Sequence, residues 1–166
     1  YTLDGTGVGT YSSNLTGLTN NTEYFVRAYA TNIKGTSYGN QISFNTLANP
    51  VIPTLTTIEV TSITQTTANS GGNITSDGGA DVTSRGVCWS STSILPEIDD
   101  PHTTDGTGVG SYSSLLTNLD PNTLYYLRAY ATNNVGTAYG NTITFMTLAT
   151  PTIPTVITQE AYNITQ

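Results

Sequence analysis

Residues 105–155 read DGTGVGSYSSLLTNLDPNTLYYLRAYATNNVGTAYGNTITFMTLATPTIPT, and residues 4–54 carry nearly the same text, DGTGVGTYSSNLTGLTNNTEYFVRAYATNIKGTSYGNQISFNTLANPVIPT. The two copies align without a gap at an offset of 101 residues, and roughly two-thirds of the aligned positions are identical. A period near 100 is too long for a solenoid unit of about 20–50 residues and suits one whole β-sandwich. The chain is therefore interpreted as a tandem array of all-β sandwich repeats.

Apolar and polar residues alternate along short segments of the complete repeat, and no segment shows apolar residues at helical spacing. This pattern predicts strands over residues 56–63, 67–75, 82–90, 109–116, 124–132 and 138–147. Ser70, Gly71 and Gly72 suggest a bulge or a flexible step in the second of these strands. Residues 77–79 and 133–136 are predicted turns, and the proline- and aspartate-containing segment 91–106 is a predicted long loop. No helix is expected.

Proline pairs mark the joints between repeats. Pro50 and Pro53 follow the first copy, and Pro151 and Pro154 follow the second. Because proline removes a ladder donor and stiffens the backbone, these segments are expected to be short, semi-rigid connections. We divide the chain into residues 1–49, the C-terminal half of a repeat; residues 50–149, a complete repeat; and residues 150–166, the first strand of a following repeat or a donor strand.

The incomplete first and last copies admit two explanations. Either the sequence is a window on a longer tandem array, or copies polymerise head to tail, a terminal strand of one completing the next by β-strand addition. Tyr1 is not an initiating residue, so the sequence is expected to be processed or cut from a longer one. Both explanations predict an extended, repetitive fibre whose partners are neighbouring copies of the chain.

Residues 119–133, LDPNTLYYLRAYATN, followed by Gly136, resemble the second half of a fibronectin type III domain. In that family a leucine and a proline precede a corner tyrosine, whose hydroxyl bonds back to the backbone at the crossover between sheets. Tyr125 matches this tyrosine, and Tyr24 matches it in the first copy. The resemblance implies an Ig-like, fibronectin type III-like sandwich.

The first half of the repeat, with residues 85–90 reading RGVCWS, looks like variant repeats of large secreted and surface proteins of Gram-negative bacteria. Trp89 departs from animal modules, which carry the core tryptophan one strand earlier, and is expected to be a structural core residue. Cys88 is the single cysteine and cannot form an intrachain disulfide. Scarce lysine and abundant threonine and asparagine also favour a bacterial surface protein, so the predicted location is extracellular.

Charge excludes several classes of partner. Only 9% of residues are charged, and four basic residues stand against eleven acidic ones, for a net charge of −7. Nucleic-acid binding requires a basic surface, which four scattered cations cannot supply. No apolar run is long enough to cross a bilayer, so no membrane insertion is expected.

Few residues are candidates for catalysis or for binding a cofactor or metal ion. DGTGVG resembles a dinucleotide-binding loop but lacks the following helix, so it is interpreted as a turn. His102 is the single histidine, and no catalytic residue is predicted. No cofactor is expected, apart from a weak calcium candidate at Glu97, Asp99 and Asp100, whose carboxylates are hard ligands.

Tyrosines and sequons complete the candidate sites. The tyrosines of the last two strands are interpreted as packing residues, and an exposed row of them could instead stack on glycans. Asn-x-Thr sequons, possible glycosylation sites, occur at Asn14, Asn20, Asn73 and Asn163. The predicted function is a non-enzymatic structural part of a bacterial stalk, adhesin or fibre. The alternatives are a carbohydrate-binding module or the accessory linker of a secreted enzyme.

Overall fold

The computed structural model describes residues 1–160 and 162 and divides the chain into two compact units, Tyr1–Val51 and Ile52–Gln166. The boundary falls inside the first predicted proline joint, and the division into three pieces stays a prediction. All described regular structure is β, as predicted, and no described helix could span a membrane. The strands in chain order are β1 (Glu23–Val26), β2 (Tyr29–Asn32), β3 (Gly35–Tyr38), β4 (Ile42–Asn45), β5 (Thr54–Thr61), β6 (Ala68–Ser76), β7 (Ser84–Ser90), β8 (Gly110–Leu116), β9 (Leu124–Thr132), β10 (Thr137–Tyr139) and β11 (Ile143–Met146).

The second unit is a sandwich of two antiparallel sheets. One sheet has the strand order β5-β6-β8, and in the other β9 lies between β7 on one side and both β10 and β11 on the other. β10 pairs with the C-terminal part of β9, whereas β11 pairs with its N-terminal part. The two are therefore halves of one strand, predicted as continuous over residues 138–147, that is interrupted at residues 140–142.

The core of the second unit lies between these sheets. Leu127 and Val87 are fully buried, and Trp89 is 9% exposed. The Tyr112 hydroxyl donates to the Gly86 carbonyl at 2.7 Å and thereby joins β8 to β7 across the core. Burial between the sheets raises the pKa of Tyr112 above its ordinary value.

The double glycine of β6 has a packing role that differs from the predicted one. A Cβ at Gly71 would lie 2.0 Å from the Tyr112 carbonyl oxygen, and one at Gly72 would lie 2.5 Å from the Tyr112 hydroxyl. The bulge was predicted at the wrong position: β6 carries one extra residue opposite the step from Thr54 to Leu55, and β5 carries one extra residue between Ile58 and Thr61. Ser70 stabilises this irregularity by donating from its hydroxyl to the Ile58 carbonyl at 2.6 Å.

The predicted loop 91–106 is more ordered than expected at its C-terminal end. Residues 101–106 run antiparallel along the free edge of β7, with hydrogen bonds from Trp89 N to Pro101 O (2.9 Å) and from Thr103 N to Val87 O (2.8 Å). Asp105 N donates to Arg85 O at 2.7 Å in the same series. This segment covers an edge that would otherwise present unpaired backbone groups.

The first unit contains only the strands that correspond to β9, β10 and β11. β1 pairs with β4 and β2 with β3, and the pair of Tyr24 and Phe44 reproduces the pair of Tyr125 and Phe145 at the 101-residue offset. Residues 9–15 match β8 in sequence but form no strand. The physical reason is the lack of a partner, since β8 pairs with β6 and the described first unit has no strand equivalent to β6.

Residues 150–160 form no strand and are exposed. The first strand predicted within residues 150–166 therefore has no partner in the described chain, and that assignment stays a prediction.

Candidate functional site

The corner tyrosines make the backbone bond that the family resemblance implies. Asp120 N donates to the Tyr125 hydroxyl at 3.0 Å, and Thr19 N donates to the Tyr24 hydroxyl at 2.8 Å. Hydrogen bonding by the Thr19 side chain, and second by its backbone, also lowers the pKa of Tyr24. Tyr125 is 5% exposed, so its side chain is almost completely shielded from solvent.

The remaining tyrosines of the second unit do not form an exposed row. Tyr130 is 3% exposed and donates to the Thr103 carbonyl at 2.7 Å, and His102 packs edge-on against its ring. Tyr139 is half-buried, and the Arg128 guanidinium lies 4.5 Å from its ring centroid. Sugar stacking needs accessible ring faces, and Trp89 also lies in the core. The arrangement therefore gives the carbohydrate-binding alternative no support in this unit.

The acidic residues of the 91–106 loop are used in a turn. Glu97 N donates to the Asp100 carboxylate at 3.0 Å, and Asp100 N donates to the Glu97 carbonyl at 2.9 Å. His102 Nδ1 lies 2.9 Å from the Asp100 carbonyl oxygen. Among residues 1–160 and 162, no group of three His, Cys, Asp or Glu side chains is arranged to hold a metal ion, so Glu97, Asp99 and Asp100 make no calcium cluster.

The same loop covers the outer face of the β7–β9 sheet, which sequence reasoning missed. Cys88 is fully buried there, with its thiol donating to the Pro96 carbonyl at 3.2 Å. Ile98 N donates to the Tyr139 hydroxyl at 3.2 Å and fixes the loop over the sheet. Burial raises the pKa of the Cys88 thiol to about 12. The sequence signal that could have predicted this covering is the small, apolar character of Gly86 and Cys88, which occupy positions of β7 that face away from the core.

The four sequons occupy different settings. Asn14 is exposed outside any strand, whereas Asn20 is exposed but hydrogen-bonded through its side chain to Asn49. Asn73 lies within β6, where its side chain accepts from the Ser111 hydroxyl at 3.0 Å. Asn163 lies outside the described residues. Glycosylation at all four stays a prediction, and Asn14 has the most accessible geometry of the three described.

The interruption between β10 and β11 is filled by Thr57 of β5. The Thr57 hydroxyl donates to the Asn141 carbonyl at 2.6 Å and accepts from the Ala129 N–H at 3.0 Å. Thr57 N also donates to the Asn141 side-chain oxygen at 3.1 Å. Gly140 allows this approach, because a Cβ there would lie 2.5 Å from the Thr57 hydroxyl oxygen. These contacts, which we name the β5 clamp, fasten the first strand of the repeat to the last.

The first unit repeats the local contacts of the second. The Tyr29 hydroxyl donates to the Thr2 carbonyl at 2.8 Å, as Tyr130 does to Thr103. The Asp4 carboxylate accepts from the Thr2 and Ser13 hydroxyls, and these bonds, chiefly the one from Ser13, lower the pKa of Asp4. The sequence therefore folds locally in the same way in both copies.

The two units differ in what covers their inner sheet face. Leu127, Ala129 and Ala131 of β9 are 0% exposed beneath the opposing sheet. Their counterparts in the first unit are half-buried Val26 and the exposed alanines at 28 and 30. We name the side of the first unit that carries Tyr24, Val26, Ala28, Ala30 and Phe44 the open face. It is an apolar sandwich face without an opposing sheet in the described first unit, and it is the candidate functional site.

No protein-family model matches the chain, and no curated protein matches it. Among solved structures, the sensor domain of the anti-sigma factor RsgI4 of Pseudobacteroides cellulosolvens is 18% identical, over 60% of this chain and 98% of that chain, with a TM-score of 0.43. The chicken CNTN1 FN1-FN3 domains are 20% identical, over 80% of this chain and 45% of that chain, with a TM-score of 0.44.

A fibronectin type III domain derived from the human KIAA0970 protein is 18% identical, over 66% of this chain and 85% of that chain, with a TM-score of 0.40. The fold assignment depends on the strand order and registers of the second unit, not on these scores. The structural neighbours of this chain are fibronectin type III and Ig-like β-sandwich domains.

Proposed function

We propose that this chain is a non-enzymatic structural component of an extracellular bacterial stalk, adhesin or fibre, in which tandem β-sandwich repeats are joined head to tail. The observation that carries the proposal is the open face of the first unit. Its residues are nearly the same as those of a buried surface in the second unit, so the sequence of this face suits packing against other residues. Apolar faces and unpaired strand edges of this kind promote association with further β structure.

Two further observations support a structural role. We expect the proline joints to limit the freedom between repeats, which supports an extended array. The hydrogen-bonding side chains of the second unit are used largely to hold backbone segments together, as in the corner tyrosine and the β5 clamp. Polar groups that are bonded in this way stabilise the fold, and few of them are left to take part in chemistry at the surface.

Electron microscopy of the native material, without added partners, tests the proposal. We expect long uniform fibres with an axial repeat of one or two sandwich domains. Dispersed single particles under native conditions would contradict a fibre. Glycan-array binding and the sequence flanking this chain would then be the next measurements.

A further inference from the structure

Building on the proposed head-to-tail assembly, we propose that residues 155–160 of one copy dock as a β5-like strand on the first unit of a second copy, with Thr158 in the position of Thr57. Within one repeat β5 is held by its ladder with β6 and by the β5 clamp, and the clamp is the part whose acceptor positions recur in the first unit. The inference concerns one register and one set of hydrogen bonds at the open face.

The donor segment carries the side chains that the clamp uses. Residues 155–160 read TVITQE, and the matching residues 54–59 of β5 read TLTTIE. Thr158 stands for Thr57, and Val156 stands for Leu55, whose side chain is 8% exposed in the core. Because the side chains of a strand alternate between faces, this spacing presents the hydroxyl and the apolar anchor as β5 does. The segment is exposed and belongs to no strand in the structure.

The acceptor positions are identical in the two units. Ala28, Gly39 and Asn40 match Ala129, Gly140 and Asn141 at the 101-residue offset. The local backbone is also the same, because Gly39 N donates to Ala28 O at 2.9 Å, the distance found between Gly140 N and Ala129 O. The first unit therefore has the same strand interruption, at residues 39–41, that Thr57 fills in the second unit.

The interruption in the first unit is open. A Cβ at Gly39 would meet only atoms of Ala28, at 3.8 Å, whereas the same position in the second unit is in close contact with β5. Within the described residues, the Ala28 N–H has no hydrogen-bond acceptor. A docked Thr158 hydroxyl accepts from this N–H and donates to the Asn40 carbonyl, and Thr158 N donates to the Asn40 side-chain oxygen. As in the β5 clamp, these bonds involve the threonine hydroxyl and the asparagine side chain and do not form a β ladder.

The test measures reversible self-association of the full 166-residue chain by analytical ultracentrifugation over a wide concentration range. Thr158→Val removes the hydroxyl, and Gly39→Val blocks the close approach. Each is expected to weaken association about tenfold, equivalent to about 1.4 kcal/mol. Thr152→Val lies outside the donor segment and is the matched control, expected to associate like the wild type. A synthetic peptide of residues 152–162 is expected to compete with association, and its Thr158→Val version is expected to compete poorly.

Trp89 fluorescence establishes that the second unit of each variant is folded, and a far-ultraviolet circular dichroism spectrum equal to that of the wild type establishes the same for the first unit of Gly39→Val. Equal association of all variants, or no association of the wild type together with no peptide binding, would overturn the docking. Fibres in the native material combined with insensitivity to Thr158→Val would leave the proposed function standing and place the contact elsewhere. Dispersed native particles would overturn the proposed function, and the peptide titration would still decide the docking by itself.

Discussion

Thr57→Val tests the energetic importance of the β5 clamp. Valine has nearly the shape of threonine and suits a strand, so the change removes the hydroxyl and little else. The Ala129 N–H then lies in a residue that is 0% exposed and has lost its acceptor. An unsatisfied buried donor costs about 1–3 kcal/mol, and we expect the free energy of unfolding of the second unit to fall by about 2 kcal/mol.

The assay is urea unfolding followed by the fluorescence of Trp89. The chain has 1 tryptophan, and Trp89 lies in the core of the second unit, so the signal reports that unit alone. The midpoint should fall while the slope stays unchanged, because the surface exposed on unfolding is the same. For a domain of about 100 residues, the corresponding loss in Tm is about 10 °C.

Two variants provide controls for this prediction. Thr57→Ser keeps the hydroxyl and should retain most of the stability. Thr158→Val makes the same substitution at the equivalent exposed position and, at a concentration where copies do not associate, should change stability by less than about 0.5 kcal/mol. A Thr57→Val midpoint equal to that of the wild type, or an equal loss in Thr57→Ser, would refute the role of the hydroxyl.

The same fluorescence assay checks four further predictions. Gly140→Ala should lower the free energy of unfolding of the second unit by about 1–3 kcal/mol through the clash with β5, and an unchanged transition would contradict the packing argument; Gly39→Ala, outside the second unit, is the silent control. Tyr125→Phe loses the corner bond and should cost about 1 kcal/mol, and Tyr24→Phe, outside the second unit, should leave the tryptophan transition unchanged. Stability should fall as the pH rises from 9.0 towards 12, because the unfolded thiol of Cys88 loses its proton near its ordinary pKa of 9.0 and the buried one does not until about 12; Cys88→Ala should reduce that slope. Millimolar calcium should not change Tm, and a clear rise would show an ion site that side-chain clustering does not reveal.

Sequence periodicity was sufficient to predict the strands of the second unit to within a few residues at each end. Residues 124–132 were predicted with the bounds that β9 has in the structure. The strand predicted at 138–147 was wrong in its continuity, because it is interrupted at residues 140–142, and the hydroxyl of Thr57, which is distant in sequence, fills the interruption. The local pattern of apolar and polar residues predicts which face of a strand a residue occupies. It does not predict that the hydroxyl of a distant residue takes the place of a hydrogen bond between strands.

The side-chain contacts were harder to predict from the sequence than the fold. The corner position of Tyr125 follows from a local motif, because the bond spans only five residues. The covering of Cys88 by the 91–106 loop does not, since a loop rich in prolines and acids is typical of a solvated surface. The failure of residues 9–15 to form a strand also shows that a strand sequence needs its partner: nearly the same residues are β8 in the second unit.

The loop over Cys88 has a consequence for how the protein behaves in an oxidising medium. Thiol–disulfide exchange requires an accessible thiolate, and this sulfur is both protonated and enclosed. Folded copies brought close together at any concentration cannot become covalently cross-linked through it. Association between folded copies therefore does not involve a disulfide, and an intermolecular disulfide in a preparation would indicate molecules that had unfolded.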